Sequence, residues 1–249
     1  MKDYLEPVET VEPRPTERDS ARYVRSYLIM RVVVGALGVA LPLALVLLDG
    51  LWLDGDPFPR TSLSAYYYSG VRELFVGGLS AIGIFLVTYK VGERSLDNTL
   101  SLVAGTAVAL VALFPTGLPK GVTELTPLQE RLGESFVETI HFVAAAIFIG
   151  SLAVLSYFFG KREGARPPRV GQRRSPRFWR LYHWACAAAI VLALLWIAVT
   201  ELSGWGPSNS LLYGETLAVW AFGASWLWKG LELDMLRGDP APEAGAATA

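Results

Sequence analysis

Cysteine and histidine are nearly absent from this chain of 249 residues, which holds one cysteine and two histidines. The single thiol, Cys186, excludes both an internal disulfide and a CxxC redox pair. Charge is also scarce, because only 18% of the residues are Asp, Glu, Lys or Arg, whereas a soluble domain has about a quarter. This scarcity excludes an ordinary soluble or disordered protein.

An excess of charge of one sign is also missing. The formal net charge is -1 and the isoelectric point is about 6.2, so no basic field favours nucleic acid as a partner. Hydrophobic residues make up 52% of the chain, and its mean hydropathy is +0.37. Many of them stand in runs long enough to cross a bilayer. The composition predicts a polytopic all-α membrane protein with one helix bundle, since lipid-facing backbone must be hydrogen-bonded within helices.

Six apolar blocks are expected to be transmembrane helices. A helix rises about 1.5 Å per residue and must cross a hydrocarbon core of about 30 Å. The third block is the shortest. The blocks are Leu28–Leu48, Arg72–Tyr89, Leu100–Phe114, Phe136–Phe159, Phe178–Thr200 and Leu211–Lys229.

Basic residues predict the orientation. If both termini are cytoplasmic, 18 of the 22 Lys and Arg residues lie inside, as the positive-inside rule requires. We therefore expect a bacterial inner (plasma) membrane protein, with a disordered cytoplasmic tail at 1–26, a transmembrane domain at 27–230 and a cytoplasmic tail at 231–249. The basic loop 160–180 is typical of a topology signal, and binding of anionic lipid head groups is the alternative. Membrane lipids are the expected partners.

One helix start has a clear local signal on the outer side. Thr126 has the character of an N-cap, Pro127 suits the first helical position and Gln129 completes a capping box. A helix is predicted to begin near Pro127, with a bend at Gly133 before the fourth span.

Polar residues concentrate at the outer ends of the spans, where they predict a polar pocket that opens outward. Glu134, Glu138 and His141 are spaced to share one helical face, and lipid would reject that face. Arg72 then requires a carboxylate partner, with Glu138 or Glu215 as the candidates. The expected lining is Ser62, Ser64, Tyr66, Arg72, Glu73, Glu138, His141 and Glu215.

Three roles stay open for this pocket. Glu138 and His141 could form half of a metal site, although no metal or other cofactor is expected. Ser62 or Ser64 could be a nucleophile activated by His141, with Glu138 or Glu73 orienting the imidazole; the GxSxG turn of many serine hydrolases is not present in the sequence. The third possibility is a structural cluster that only pairs the loops. If chemistry occurs, Glu138 and His141 are the expected catalytic proton-transfer groups.

The chain resembles a group of uncharacterised bacterial six-span membrane proteins. The resemblance lies in the segment from Pro59 to Gly77, in Phe114-Pro115-Thr116 and His141-Phe142, and in the motif around Trp220. More distantly, the arrangement is similar to the DRAM/Sfk-type six-span family, which has a Ser-containing outer loop followed by an acidic residue at the second span. Some distant relatives act in lipid remodelling or lipid-anchor maturation. The alkaline ceramidase pattern of three zinc-binding histidines, two of them as HxxxH, does not fit this chain.

These observations predict binding, or processing, of a lipid head group or another small ligand. In that interpretation Arg72 holds an anionic group and Tyr66 to Tyr68 contact its apolar neighbour. The alternative is a non-catalytic membrane scaffold or accessory subunit. The two predictions differ, because a binding site needs a cavity whereas a scaffold needs fully paired polar groups and no void.

Overall fold

A computed structural model describes residues 17–53, 59–89, 95–165 and 175–231. All regular structure in these ranges is helical, without a strand. A π-helical turn, Asp49–Leu53, follows the first α-helix, and a 3-10 turn, Ser64–Tyr68, precedes the second. The α-helices are α1 (Glu17–Leu48), α2 (Arg72–Thr88), α3 (Leu96–Leu113), α4 (Pro127–Leu132), α5 (Glu134–Ala165), α6 (Pro176–Ser203) and α7 (Ser210–Leu231).

Among the described residues, four segments are long and apolar enough to cross a membrane, as the prediction of a membrane-embedded helical protein requires. They are Ile29–Leu51, Leu96–Leu113, Glu134–Ala165 and Pro176–Ser203. The two other apolar blocks of the sequence also fall in helices, α2 and α7. Helix α2 has 17 residues, which gives about 25 Å at 1.5 Å per residue and falls short of a full hydrocarbon core.

Helix α1 begins at Glu17, ten residues before the expected start of the transmembrane domain. Residues 17–26, which the sequence assigns to a disordered tail, are continuous with this helix. Residues 17–26 include good helix formers such as Glu, Arg and Ala, and they contain neither Pro nor Gly. Residues 1–16 and 232–249, which hold the rest of the predicted tails, lie outside the described residues.

The six long helices form a ring around a shared core. In order around the ring, α1 packs beside α7, then come α6, α5, α3 and α2. Helix α2 returns to α1, and this seam is packed less closely than the other five. Successive long helices run in opposite directions, so residues 59–71 and 114–133 meet at one end of the bundle. We call this the loop end, and the other the opposite end.

Glycines allow the first and last helices to pack closely. A Cβ on Gly35 would lie 2.6 Å from the backbone nitrogen of Leu227, and one on Gly38 would lie 3.2 Å from the Cα of Gly223. Close backbone approach through small residues is typical of membrane helix pairs. Large apolar side chains instead cover the outward face of α6, where Leu192 is 63% exposed and Val199 is 55% exposed.

Candidate functional site

The segment before α2 folds into the loop end of the bundle. Arg60 forms an ion pair with Asp49, with 2.7 Å between Nε and Oδ2. The backbone N–H of Leu212, in α7, donates to the carbonyl of Thr61 at 3.0 Å. These contacts bring the 3-10 turn Ser64–Tyr68 inside, where Ser62, Ser64 and the ring of Tyr66 are buried.

The predicted capping box is present and does more than start a helix. Thr126 accepts from the backbone N–H of Gln129, and Gln129 Oε1 accepts from the backbone N–H of Thr126. Gln129 is buried, and its Nε2 donates to the hydroxyl of Tyr68 at 2.8 Å. That hydroxyl donates to the carbonyl of Thr116 at 2.7 Å. Burial raises the pKa of Tyr68, so the hydroxyl keeps its proton and ties three loop-end segments together.

Replacing Gln129 with methionine is expected to lower the free energy of unfolding by about 1–2 kcal/mol. The change removes the capping-box acceptor and leaves the Tyr68 hydroxyl without its buried donor. Unfolding by SDS titration in mixed micelles measures the effect. Glu124→Gln, at an exposed loop position, is the control and should stay within about 0.5 kcal/mol. Equal stability of the two variants would contradict a structural role for Gln129.

His141 uses both of its ring nitrogens inside the bundle, where the residue is 1% exposed. Nδ1 lies 2.7 Å from the carbonyl oxygen of Phe114, the C-cap of α3. A carbonyl only accepts, so Nδ1 must carry a proton and donate. The carbonyl is one of the acceptors that a helix end leaves unpaired. In the neutral ring, Nε2 is then the acceptor, and it lies 2.9 Å from the hydroxyl oxygen of Ser64.

Glu215 completes the group from α7. Its Oε2 accepts from the backbone N–H of Leu63 at 2.6 Å, and its Oε1 lies 3.4 Å from the hydroxyl oxygen of Ser64. Ser64 thus stands between His141 and Glu215, and it lies within hydrogen-bonding distance of both. Three predicted site residues come together from segments 77 and 151 residues apart in the chain.

A cavity of about 60 Å³ lies beneath this group. Ser64 and Glu215 are the polar residues at its wall, and all other lining side chains are apolar. Several lining residues in the bundle, among them Leu79, Ala145 and Val219, are half-buried. The apolar lining is Leu41, Pro42, Leu45, Leu63, Phe75, Leu79, Ile82, Val111, Ala145, Phe148, Ile149 and Val219.

This cavity differs from the polar pocket that the sequence predicted. Of the eight expected lining residues, only Ser64 and Glu215 border it. Ser62 instead accepts from the backbone N–H of Ala65 at 3.0 Å and stabilises the turn. Tyr66 is buried, with its ring centre 5.9 Å from the Arg60 guanidinium carbon.

The prediction that Arg72 pairs with a carboxylate was wrong. Arg72 is exposed, donates to the hydroxyl of Tyr67 and stacks on that ring, with 4.2 Å between the guanidinium carbon and the ring centre. Within the described ranges it pairs with no carboxylate. Glu73 is exposed in the first turn of α2. The ring of Tyr67, five residues earlier in the chain, therefore replaces a distant carboxylate as the partner of Arg72.

The acidic face of α5 separates into three environments. Glu134 is exposed and accepts from the backbone N–H of Leu118 at 3.3 Å. The half-buried carboxyl of Glu138 packs against Gly117, so closely that a Cβ there would overlap it. Only His141 reaches the interior. In the residues that the structure describes, no three His, Cys, Asp or Glu side chains are placed to hold one metal ion.

A second buried polar group lies at the opposite end, and sequence reasoning missed it. Lys229 and Glu163 form an ion pair with both side chains almost fully buried. Asp97 is fully buried and pairs with Arg162. His183 Nδ1 lies 2.8 Å from the hydroxyl oxygen of Ser225. In the sequence, Lys229 stands at the end of an apolar block, and the spacing of Glu163 within α5 gave no sign that its partner is on α7.

Comparison with protein-family models, with curated proteins and with solved structures finds no match for this chain.

Proposed function

We propose that this protein binds a lipid-like amphipathic molecule within its helix bundle. The carrying observation is the apolar cavity with Ser64 and Glu215 at its wall. An apolar chain would occupy the cavity, and a polar group would reach the two polar side chains. Small-molecule sites are commonly apolar spaces with a few placed polar groups. The arrangement favours binding over a scaffold, since a scaffold needs no void beside its polar cluster.

The size of the cavity limits what fits without movement. Its 60 Å³ exceeds the room for one water molecule, and it is smaller than the ~150 Å³ cavity that takes up benzene. The terminal part of an alkyl chain fits, whereas a whole lipid requires further space. The seam between α1 and α2 is the least closely packed side of the ring. We propose that the rest of the lipid's alkyl chain leaves the helix bundle between α1 and α2.

The two polar residues favour a ligand group that can donate hydrogen bonds. Glu215 offers carboxyl oxygens, one of which already accepts from the backbone N–H of Leu63, so this side chain serves as a hydrogen-bond acceptor. A hydroxyl, amine or amide of the ligand suits the site. This conclusion replaces the expectation that Arg72 holds an anionic group, because Arg72 lies outside the cavity lining and contacts Tyr67.

Ala145→Leu is expected to reduce the lipid retained by the purified protein. Ala145 borders the cavity from α5, and three added carbons fill part of its volume. Native mass spectrometry and lipid extraction from the full chain in mild detergent measure the retained species. Ala146→Leu is the matched control, since Ala146 is the next residue and its side chain is exposed on the outside of the same helix.

The outcomes separate cleanly. Loss of a specific lipid in Ala145→Leu, but not in Ala146→Leu, supports the binding proposal. Retention of the same lipid at the same stoichiometry in both variants, with both folded, contradicts occupancy of the cavity. A wild-type protein that retains no lipid-like molecule and takes up none from mixed bacterial lipid vesicles would also contradict it.

We further propose the membrane arrangement that the basic residues predict. Helices α2 and α7 join the four long apolar segments as spans, both termini lie in the cytoplasm and the loop end faces the periplasm. The support is the asymmetry of Lys and Arg. The basic loop 160–180 then faces anionic head groups on the inner leaflet. Residues 166–174 of that loop lie outside the described residues, and Arg162 within it pairs with Asp97.

The scaffold remains a second candidate because of one observation. The loop end is tied together by the contacts of Tyr68, Gln129 and Thr116 described above, which hold loops without needing a ligand. In a scaffold, Ala145→Leu would fill an unused void and raise stability without changing any retained species. The same pair of alanine variants therefore discriminates the two functions.

A further inference from the structure

We propose that Ser64 is the nucleophile of an acyl-transfer reaction on a lipid ester, with His141 as its general base. The inference rests on the proposed binding function, because the cavity would deliver the apolar chain of the substrate. It goes beyond binding in naming a reaction class, a nucleophile and a base. Its starting point is the 2.9 Å contact between the Ser64 hydroxyl oxygen and His141 Nε2.

The imidazole is held in the tautomer that a general base needs. Its Nδ1 donates to the carbonyl of Phe114 at 2.7 Å, so Nε2 presents its lone pair toward Ser64. In serine hydrolases a carboxylate fixes this tautomer and orientation. Here the Phe114 carbonyl, at the C-terminal end of α3, takes the place of that carboxylate. It orients the ring without adding a charge to the interior.

Ser64 is also the member of the pair that meets the cavity. Ser64 is among the residues that line the cavity, whereas His141 is not. A substrate chain in the cavity would therefore encounter the hydroxyl before the base, with the imidazole behind it. Glu215 acts as a positioning residue, because it accepts from the backbone N–H of Leu63, immediately before Ser64, at 2.6 Å.

The proposed reaction balances with an ester and water as the reactants. The Ser64 oxygen attacks the ester carbonyl carbon, a new C–O bond forms, and the hydroxyl proton passes to His141 Nε2. The bond between the carbonyl carbon and the alcohol oxygen then breaks, and His141 returns the proton to the departing alkoxide. Water, activated by the same nitrogen, releases the fatty acid and restores Ser64. An alcohol in place of water would accept the acyl group.

Labelling with hexadecyl fluorophosphonate tests the nucleophile directly. An activated serine oxygen attacks the phosphorus and displaces fluoride, and the covalent adduct is located by intact-mass and peptide mass spectrometry. The full chain in mild detergent is expected to be labelled once, at Ser64, ahead of every other serine. His141→Gln is expected to slow this labelling by about 100-fold or more, the lower range for loss of a general base.

Two controls support the interpretation. Ser156→Ala removes another buried hydroxyl, on α5 and outside the cavity lining, and labelling should proceed at the wild-type rate. Thermal unfolding establishes that His141→Gln is folded. The proposal is overturned if folded wild-type protein is not labelled at Ser64, a result that needs no variant. It is also overturned if folded His141→Gln is labelled as fast as wild type.

The failure of this proposal differs from the failure of the binding function. Lipid lost in Ala145→Leu together with an unlabelled Ser64 would leave the binding function standing and overturn the nucleophile. Rapid labelling of Ser64 with unchanged lipid in Ala145→Leu would leave an activated serine and overturn the cavity as its substrate site.

Discussion

Glu163→Ala is expected to lower the free energy of unfolding by about 3–5 kcal/mol, the range measured when one partner of a buried ion pair is removed. The side chains of Lys229 and Glu163 are 3% and 5% exposed. Without the carboxylate, the ammonium group of Lys229 loses its charged partner in a site closed to water. SDS titration of the full chain in mixed micelles, followed by tryptophan fluorescence, measures the loss.

The double variant Glu163→Met with Lys229→Met is the informative partner experiment. Replacing both charges by apolar side chains removes the desolvation cost along with the attraction, so most of the lost stability should return. Lys161→Met, exposed on the same helix, should change stability by less than about 0.5 kcal/mol. A Glu163→Ala loss no larger than that of Lys161→Met would show that the pair contributes nothing to the fold.

Gly35→Ala is the second change with a large expected effect, a loss of about 1–3 kcal/mol from overpacking. The new methyl would lie 2.6 Å from the backbone nitrogen and 2.7 Å from the Cα of Leu227. Backbone atoms cannot move aside as a flexible side chain would, so α1 and α7 must separate. The same SDS titration measures the effect, and the thermal unfolding midpoint gives an independent reading.

Gly77→Ala provides the opposite result from the same substitution. Among the described residues, no atom outside the adjoining turns of α2 lies within 4 Å of a Cβ at Gly77, which is exposed. Alanine should leave stability unchanged or raise it by up to about 1 kcal/mol, because it favours the helix. If Gly35→Ala and Gly77→Ala behave alike, close packing of α1 on α7 would not be a determinant of stability.

Local signals in the sequence predicted local structure well. The six apolar blocks all fall in helices, and the capping box at Thr126 and Gln129 forms as its spacing indicates. Gly133 takes a φ of 89° between α4 and α5, where a bend was expected. The capping box acts within about one helical turn and each apolar block within a single helix, so the residues that decide these outcomes are close together in the chain.

Pairing between distant segments was predicted less well. The candidate contact of Ser64 with His141 is present, but the group that orients the imidazole is the Phe114 carbonyl rather than Glu138 or Glu73. A backbone carbonyl has no sequence signature, so no residue type could have indicated it. Side-chain charges alone suggested an ion pair between Arg72 and a carboxylate such as Glu215. Instead, Glu215 accepts from the backbone N–H of Leu63, and Arg72 donates to the hydroxyl of Tyr67.

The close packing of α1 on α7 affects how the bundle is assembled during synthesis. Gly35 and Leu227, which approach each other across this interface, are about 190 residues apart in the chain. At roughly 5–20 residues per second, translation takes about 10–40 s to reach the second from the first. Over that interval the glycine face of α1 lacks the helix that it packs against in the finished bundle, so this side of the ring closes last. A chain released before α7 is complete would leave the glycine face of its first helix uncovered, with α2 as the helix that still packs on α1.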